Sequence, residues 1–151
     1  MRIRSKAPDP QLLLRTLAEI RYELRQFLHF SESAAVKAGL QPQQHQLLLQ
    51  VAGAPKGEAV TIAYAAKRLS LRHHSVVELV NRSEREELLV RTDDARDQRR
   101  AILQVTRKGE LVLDRLADDH ARELNDLLPR LVKALKRVRE YAQDPAGTNS
   151  R

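Results

Sequence analysis

The sequence predicts a mostly α-helical fold with one small β-hairpin, arranged as a winged helix-turn-helix between two long helical segments. Three observations support this prediction. Residues 61–82 hold two short helical patterns separated by a tight turn. Two short apolar runs, at 88–90 and 101–105, enclose a loop dense in Asp and Arg. Long apolar stripes at helical spacing occupy residues 10–38 and 107–143, so the chain divides into a winged-helix region at 40–106 and two flanking helices within one domain, 1–151.

The first flanking segment reads as a single long helix. Asp9 is the predicted N-cap, Pro10 is the first helical residue, and Gly39 ends the helix. Its apolar residues recur at steps of four and three: Leu13, Leu17, Ile20, Leu24 and Phe27. A helix of nearly 30 residues is long for a domain of this size. We therefore expect part of its apolar surface to meet a partner rather than its own core, and an ordinary core helix is the alternative.

The helix-turn-helix is predicted from its caps and its turn. A helix from Pro42 to about residue 52 leads into a Gly- and Pro-containing loop. Residues 58–60 are predicted to form a short strand that pairs with the wing, the hairpin formed by the apolar runs at 88–90 and 101–105. Thr61 caps the next helix, whose apolar positions share one face. Ser70 and Leu71 form the turn, and the following helix begins at Ser70 or Arg72.

The loop of the hairpin, residues 93–100, is far more charged than a simple turn requires. We predict that Asp97 pairs with Arg99 or another Arg and stiffens the loop, which leaves Arg96 at its tip; a solvated hairpin loop is the alternative. Thr106 is the predicted cap of the last helix, and Pro129 predicts a kink or a break into two helices. Residues 1–8 and the tail from residue 144 are predicted to be disordered.

Charge and composition narrow the classes of function. The net charge is +7, and residues 61–108 contribute +4 of it, with eleven Lys and Arg against seven Asp and Glu. A basic excess in this half is what phosphate binding requires, although a basic protein without a nucleic-acid partner fits the charge equally well. The chain has no cysteine, no phosphate-binding Gly-rich loop, no nucleophile elbow and no catalytic triad, so we expect no enzyme and no cofactor. No apolar run is long enough to span a membrane, and a cytoplasmic location is expected.

The first turns of a recognition helix read base edges in the major groove of DNA. Here those turns contain Arg72, His73, His74, Ser75 and Val76. Arg donates two hydrogen bonds to guanine, His and Ser hydrogen-bond base edges, and Val packs on a thymine methyl group. The two histidines could instead suggest a metal site. Because neighbouring residues on a helix point about 100° apart, His73 and His74 cannot both ligate one ion, and we predict no metal site here.

Three segments resemble the MarR family of transcriptional regulators. Gly39-Leu40 with Pro42, Gln44 and Leu48 resembles the family's second helix. The stretch from Val60-Thr61 through Leu69-Ser70-Leu71 to Leu79-Val80 and Arg82 resembles its two reading helices. Asp94-Ala95-Arg96-Asp97-Gln98-Arg99, with Val105-Thr106 and Gly109, resembles its wing and the start of the next helix.

Two departures from the family pattern stand out. The family usually has Leu at the position of Ser83 and Gly at the position of Glu87. That Gly ends the reading helix in a left-handed conformation, where Glu is costly. Within this resemblance we predict DNA contacts for nine residues: Thr61, Arg72, His73, His74, Ser75, Val76, Arg82, Arg96 and Arg99.

The resemblance also implies an assembly and a mode of regulation. The family is dimeric through its first and last helices, so the reading helices would face successive major grooves of an inverted-repeat (palindromic) operator. Many members release DNA when a small, often anionic aromatic effector binds beside the reading unit. His29 and His45 are the candidate effector contacts here. The expected function is therefore a sequence-specific regulator, most simply a repressor; the alternative is a non-specific architectural DNA-binding protein.

Overall fold

The structure, a computed structural model, describes residues 9–143. The predictions of disorder for residues 1–8 and for the tail from 144 lie outside these residues. In chain order the elements are α1 (Pro10–Lys37), α2 (Pro42–Ala52), α3 (Ile62–Leu69), α4 (His73–Arg85), β1 (Leu89–Asp93), β2 (Ala101–Val105) and α5 (Arg107–Gln143). This order confirms the predicted fold class, a winged helix-turn-helix between two long helices.

The chain forms two units, which we describe separately. The central unit comprises Ser31–His120 and contains the helix-turn-helix and the hairpin. The helical unit comprises the described residues up to Phe30 and from Ala121 onward, and therefore holds the first part of α1 and the last part of α5. The aliphatic core of the central unit includes residues with no exposed surface at all: Ala35, Leu47, Leu48, Ala65, Val76, Val80 and Leu89.

Three helices begin at the predicted caps. An Asp9 carboxylate oxygen accepts the Gln11 N–H at 3.0 Å, the Thr61 hydroxyl accepts the Tyr64 N–H at 3.1 Å, and the Thr106 hydroxyl accepts the Gly109 N–H at 3.1 Å. Each bond satisfies one of the N–H groups that the first helical turn leaves without a partner. The predictions for all three caps are confirmed.

Left-handed residues end α1 and α3. Gly39 has a φ of 82°, and the Leu40 N–H donates to the Ala35 carbonyl oxygen at 2.9 Å. Ser70 has a φ of 54°, and the Leu71 N–H donates to the Ala66 carbonyl oxygen at 3.0 Å. Both are the six-residue closure of a Schellman motif. Ser70 therefore ends α3 rather than beginning α4, whose N-cap is Arg72.

The hairpin is antiparallel, with Leu89 opposite Val105 and Asp93 opposite Ala101. The strand predicted at 58–60 is wrong, because the structure has no regular strand there. One backbone bond nevertheless joins that segment to the hairpin: the Leu103 N–H donates to the Val60 carbonyl oxygen at 2.8 Å. A single bond anchors β2 beside the start of α3 without extending the sheet.

In the helical unit, α5 continues through Pro129. Of the predicted kink or break into two helices, the break is therefore wrong, and the kink stays a prediction. The Arg130 guanidinium holds the Glu23 carboxylate of α1 through two bonds of 2.9 and 3.1 Å. The predicted apolar stripe of α1 is only partly covered, since Leu17 and Leu24 are each 42% exposed. Among residues 9–143, no helix combines the length and the apolar character that crossing a lipid bilayer requires.

Candidate DNA-binding surface

The outer face of α4 presents polar side chains close to its N-terminus. Arg72, His73 and His74 are exposed and Ser75 is half-buried. Later turns of the same helix are anchored in the core through Val80, which has no exposed surface. Because the backbone of Arg72 caps the helix without using its side chain, the guanidinium stays available. The structure therefore brings together four hydrogen-bonding side chains at one end of a firmly packed helix.

Val76 requires a correction. It was predicted to pack on a thymine methyl group, but its side chain is fully buried and belongs to the core cluster. The prediction of a base contact for Val76 is wrong, because a side chain without exposed surface cannot meet a ligand. Its place in the first turn of the recognition helix suggested the contact, whereas packing decided which way the side chain faces.

At the start of α3, the Thr61 side chain has a structural task. Its hydroxyl oxygen accepts the Tyr64 N–H at 3.1 Å, and the residue is half-buried. The hydroxyl hydrogen remains able to donate to an anion, since capping uses only the oxygen as an acceptor. Thr61 is therefore compatible with a contact to a phosphate at the helix N-terminus, where the backbone dipoles favour negative charge.

The loop of the hairpin is organised by a buried carboxylate. Asp94 is 7% exposed, and its two oxygens accept from the Arg96 N–H at 2.9 Å and from the Arg100 Nε at 2.6 Å. The Arg96 N–H and the Arg100 guanidinium lower the pKa of Asp94, which outweighs the opposing effect of its burial. Asp94 thus stabilises the loop as a charged hydrogen-bond acceptor and does not act as an acid–base group.

The tip of the loop carries two exposed arginines, Arg96 and Arg99. Arg99 donates to Asp97 from its backbone N–H at 3.0 Å and from its Nε at 3.3 Å, which confirms the predicted pair. Its guanidinium is still 92% exposed. Arg96 is exposed as well, and its backbone N–H donates to Asp94. Such an arginine can reach a narrow, electronegative minor groove.

The hairpin is tied to α4 by a residue that the sequence did not single out. The Arg91 guanidinium lies 3.1 Å from a Glu84 carboxylate oxygen and also donates to Asn81, while the Arg91 N–H donates to Glu84 at 3.0 Å. These bonds fix β1 against the side of α4. Arg91 looked like one more strand residue in the sequence, because nothing local reveals a partner seven or ten positions away in another element.

A concave surface of about 450 Å³ lies along α4, and α2 forms one of its walls. Arg82 of α4 donates to the Gln41 side chain across it. Gln43 and Arg85 also line this surface, and neither was predicted as a site residue. The structure thus places Arg82 beside the start of α2, so the polar surface around the reading helix is wider than the helix-turn-helix alone.

The residues that depart from the family pattern lie at the end of α4. Glu87 has a φ of 58°, so it adopts the left-handed conformation that Gly provides in the family. Ser83 is fully buried, and its hydroxyl donates to the Leu79 carbonyl oxygen at 2.9 Å. The end of α4 thus has the left-handed conformation that the resemblance implies for this position, and the buried hydroxyl of Ser83 is satisfied.

The two histidines proposed for an effector have different surroundings. His29 is exposed on α1 in the helical unit. His45 is 3% exposed in the central unit, its ring centroid is 5.0 Å from that of His120, and its Nδ1 has no hydrogen-bond partner among the described residues. Burial, and then the nearby His120, lower the pKa of His45.

Between residues 9 and 143, no group of three or more His, Asp or Glu side chains is placed to hold a metal ion.

Comparisons with known proteins agree with this geometry. The sequence profile of the MarR family matches residues 38–100. No curated protein matches the chain by sequence. Among solved structures, AbsC, a MarR family transcriptional regulator from Streptomyces coelicolor, is similar with a TM-score of 0.64 and 20% identity, over 93% of this chain and 99% of that one.

Two further structures are similar and carry bound molecules. CouR from Rhodococcus jostii, bound to p-coumaroyl-CoA, has a TM-score of 0.63 and 21% identity over 83% of this chain and 87% of its own. A mutant of MepR from S. aureus, bound to an oligodeoxyribonucleotide, has a TM-score of 0.61 and 17% identity over 85% of this chain and 94% of its own. Identities this low show a shared fold. The family assignment rests on the profile match alone, by which residues 38–100 of this chain are a MarR-family winged helix-turn-helix.

Proposed function

We propose that this chain is a sequence-specific DNA-binding transcriptional regulator. One observation carries the proposal: α4 is anchored in the core through Val76 and Val80 and exposes Arg72, His73 and His74 at its N-terminal end, while the hairpin that follows it exposes Arg96 in its loop. A rigid helix with donors in its first turn fits the major groove, and an arginine on a neighbouring loop fits the minor groove. The similar MepR structure contains an oligodeoxyribonucleotide, which supports DNA as the ligand of this fold.

The proposed contact set follows from exposure. Arg72, His73, His74 and Ser75 read base edges, and Arg96 enters the minor groove. Thr61, Arg82 and Arg99 contact the phosphate backbone, which fixes position without reading sequence. The net charge of +4 over residues 61–108 supplies the attraction for phosphates.

We further propose a homodimer that binds an inverted repeat. In the helical unit, α1 and α5 expose large apolar side chains that a monomer would leave in water: Leu14, Leu17, Leu24, Leu28, Leu124, Leu128 and Leu135. Burying them against a second copy is favourable at ~25 cal/mol per Å² of apolar surface. A two-fold dimer presents its reading helices to half-sites about 34–36 Å apart, which makes the operator palindromic.

A repressor released by a small-molecule effector is the simplest mode of regulation. The similar CouR structure contains p-coumaroyl-CoA, an anionic ligand with an aromatic group. His29 and His45 remain the candidate contacts for a small aromatic or anionic effector. Such a molecule can act only if it binds the DNA-competent and DNA-free forms with different affinity.

Selection from random duplexes tests the function. The full-length protein is incubated with a random duplex library, and the enriched sequence is footprinted and its affinity compared with that of random DNA. We expect an inverted repeat bound more than ~10³-fold more tightly than random DNA. An architectural DNA-binding protein, the second candidate, would enrich no sequence while keeping a strongly salt-dependent affinity.

A further inference from the structure

A buried glutamine joins α2 to the end of α4. The Gln44 side chain is 1% exposed. Its Oε1 accepts the Gln41 N–H at 3.0 Å, and its Nε2 donates to the Glu86 Oε2 at 2.8 Å. Only one orientation of the amide satisfies both partners, because the reversed amide would set its NH₂ group against the N–H and its oxygen against the carboxylate. The amide therefore connects the two elements in a single defined geometry.

Glu86 belongs to a short connection that the start of α5 also holds. We call residues 86–88, between α4 and β1, the joint. The Lys108 Nζ donates to the Glu86 carbonyl oxygen at 2.9 Å, and the Thr106 hydroxyl donates to the Glu87 carbonyl oxygen at 2.6 Å. The Thr106 N–H donates to the Leu88 carbonyl oxygen at 3.1 Å. Each carbonyl of the joint thus has a donor from the residues around the start of α5.

Backbone packing at the joint is equally close. A Cβ atom at Gly109 would lie 2.4 Å from the Leu88 carbonyl oxygen and 2.6 Å from the Val105 Cγ1. Any side chain at Gly109 would push α5 away from the joint. The α5 side of the joint is therefore fixed by backbone contact, and the α2 side rests on the amide of Gln44.

We propose that Gln44 is a positioning residue for DNA reading, acting through its hydrogen bond to Glu86. The inference rests on the proposed function. The joint connects the end of α4 to β1, the first strand of the hairpin. Its position therefore sets the angle between the reading helix and the hairpin loop that carries Arg96. Base readout requires donors and acceptors in register to within a fraction of an ångström, as any preorganised site does.

A purely structural role for this bond makes a different prediction. Glu86 is exposed, so its released carboxylate returns to water, but the buried Gln44 Nε2 is left without an acceptor, which lowers the stability of the fold. The cost of one unsatisfied buried donor is less than the usual stability of a domain, so loss of the bond should leave the protein folded while loosening the joint. Discrimination between DNA sequences should suffer more than either stability or general attraction for DNA.

Glu86→Ala and Glu86→Gln form a matched pair of variants. Both remove the same negative charge from the surface, but only the glutamine keeps an oxygen that can accept the Gln44 Nε2–H. The readout is the ratio of affinities for the selected duplex and for random duplex, measured with full-length protein. We expect the ratio to fall about tenfold in Glu86→Ala, the equivalent of one good base contact, and to stay within about threefold of the original in Glu86→Gln.

Gln44→Met provides the second side of the test. Methionine keeps the length of the side chain but neither donates nor accepts as the amide does. We expect the ratio to fall at least as far as in Glu86→Ala, because Gln44→Met also removes the acceptor of the Gln41 N–H. The combined Gln44→Met, Glu86→Ala variant should fall no further than Gln44→Met, since the bond to Glu86 is already lost. Circular dichroism checks the fold of each variant.

The outcomes separate this inference from the proposed function. Equal ratios for Glu86→Ala and Glu86→Gln would overturn the positioning role, as would fully additive losses in the combined variant. If the unaltered protein selects no sequence from the library, the proposed function itself is overturned and the positioning role with it.

Discussion

The Leu88 N–H donates to the Ser83 carbonyl oxygen at 2.9 Å and closes the end of α4 around Glu87. The Glu87 N–H donates to the Glu84 carbonyl oxygen, also at 2.9 Å, so the two bonds form a complete Schellman motif. The motif requires a residue with left-handed backbone directly after the helix. Glu87 is that residue, with a φ of 58°, and its Cβ makes this conformation less favourable in free energy than it would be for glycine.

Glu87→Gly should stabilise the protein by about 1 kcal/mol, the usual cost of left-handed backbone for a residue with a side chain. The lost carboxylate matters little, because its oxygen lies 4.0 Å from the Lys108 Nζ and the pair is exposed. Urea denaturation followed by circular dichroism measures the effect. Glu87→Ala is the control, since it removes the carboxylate and keeps the strain. Equal stability of the two variants would mean that φ at this position carries no cost.

The sequence predicted those parts of the fold that depend on near neighbours. The Asp9, Thr61 and Thr106 caps and the Asp97–Arg99 pair all involve residues two or three positions apart, where spacing alone indicates the bond. The resemblance to a family singled out Glu87 as a position where the helix end would be either strained or reshaped, and the structure has the strained, left-handed form. Local signals of this kind are readable without a structure.

Long-range relationships could not be predicted in this way. The Gln44–Glu86 bond spans 42 residues, and periodicity in α2 shows only that Gln44 lies on its buried side. Val76 fitted a base-reading position in the first turn of the recognition helix, but its helical spacing from Val80 also fitted an inward position, and the structure buries it. The segment at 58–60, predicted to pair with the hairpin as a strand, makes one backbone bond to β2 through Val60 rather than a ladder. Tertiary contacts decided each of these cases.

Arg96→Ala should weaken binding to the selected operator at least tenfold. The Asp94 carboxylate holds the Arg96 backbone, so the loop stays ordered when the side chain is removed and the loss reflects the missing cation. An electrophoretic mobility shift at several salt concentrations measures it, and the slope of log affinity against log salt should decrease by about one.

Arg15→Ala is the matched control for Arg96→Ala. It removes the same charge from an exposed position on α1 and should leave operator affinity almost unchanged. If Arg15→Ala and Arg96→Ala had the same affinity for the operator, Arg96 would contribute no more than any other surface charge. The assignment of the loop as a wing would then fail.

Leu17→Asp combined with Leu24→Asp should convert the proposed dimer into a single chain of 17.2 kDa. Both leucines are 42% exposed, so the charges are tolerated in a monomer but not at an apolar interface between copies. Sedimentation equilibrium measures the mass. The combined variant should also lose operator affinity, because a single reading helix contacts only one half-site.

Gln11→Asp combined with Gln26→Asp controls for the added charge. At 100° per residue these exposed positions are turned away from Leu17 and Leu24 on α1. The control should keep the mass of the unaltered protein. A leucine variant that remained a folded dimer would show that the interface lies elsewhere.

A buried histidine in the central unit is expected to make stability depend on pH. His45 of α2 is buried beside His120 of α5, whose Nε2 lies 2.7 Å from the Ser31 hydroxyl oxygen of α1. Burial disfavours a charged His45, and the nearby His120 disfavours it further, so the pKa of His45 in the folded chain is below its ordinary value of 6.5. Neither Asp nor Glu is among the causes of this shift.

His45→Gln should flatten the dependence of stability on pH below about 6.5. Between the lowered pKa and 6.5, the unfolded chain binds a proton at His45 that the folded chain does not, so acid favours unfolding. The contribution is fully present above pH 6.5 and is lost as the pH falls through the folded pKa, with a slope of at most ~1.4 kcal/mol per pH unit for one proton. Urea denaturation at pH 7.5 and 5.5 measures the loss in the unaltered protein, in His45→Gln and in His73→Gln, whose side chain is exposed and serves as the control. Since His45→Gln removes only the proton at position 45, an identical loss in all three proteins would show that His45 titrates normally in the folded state.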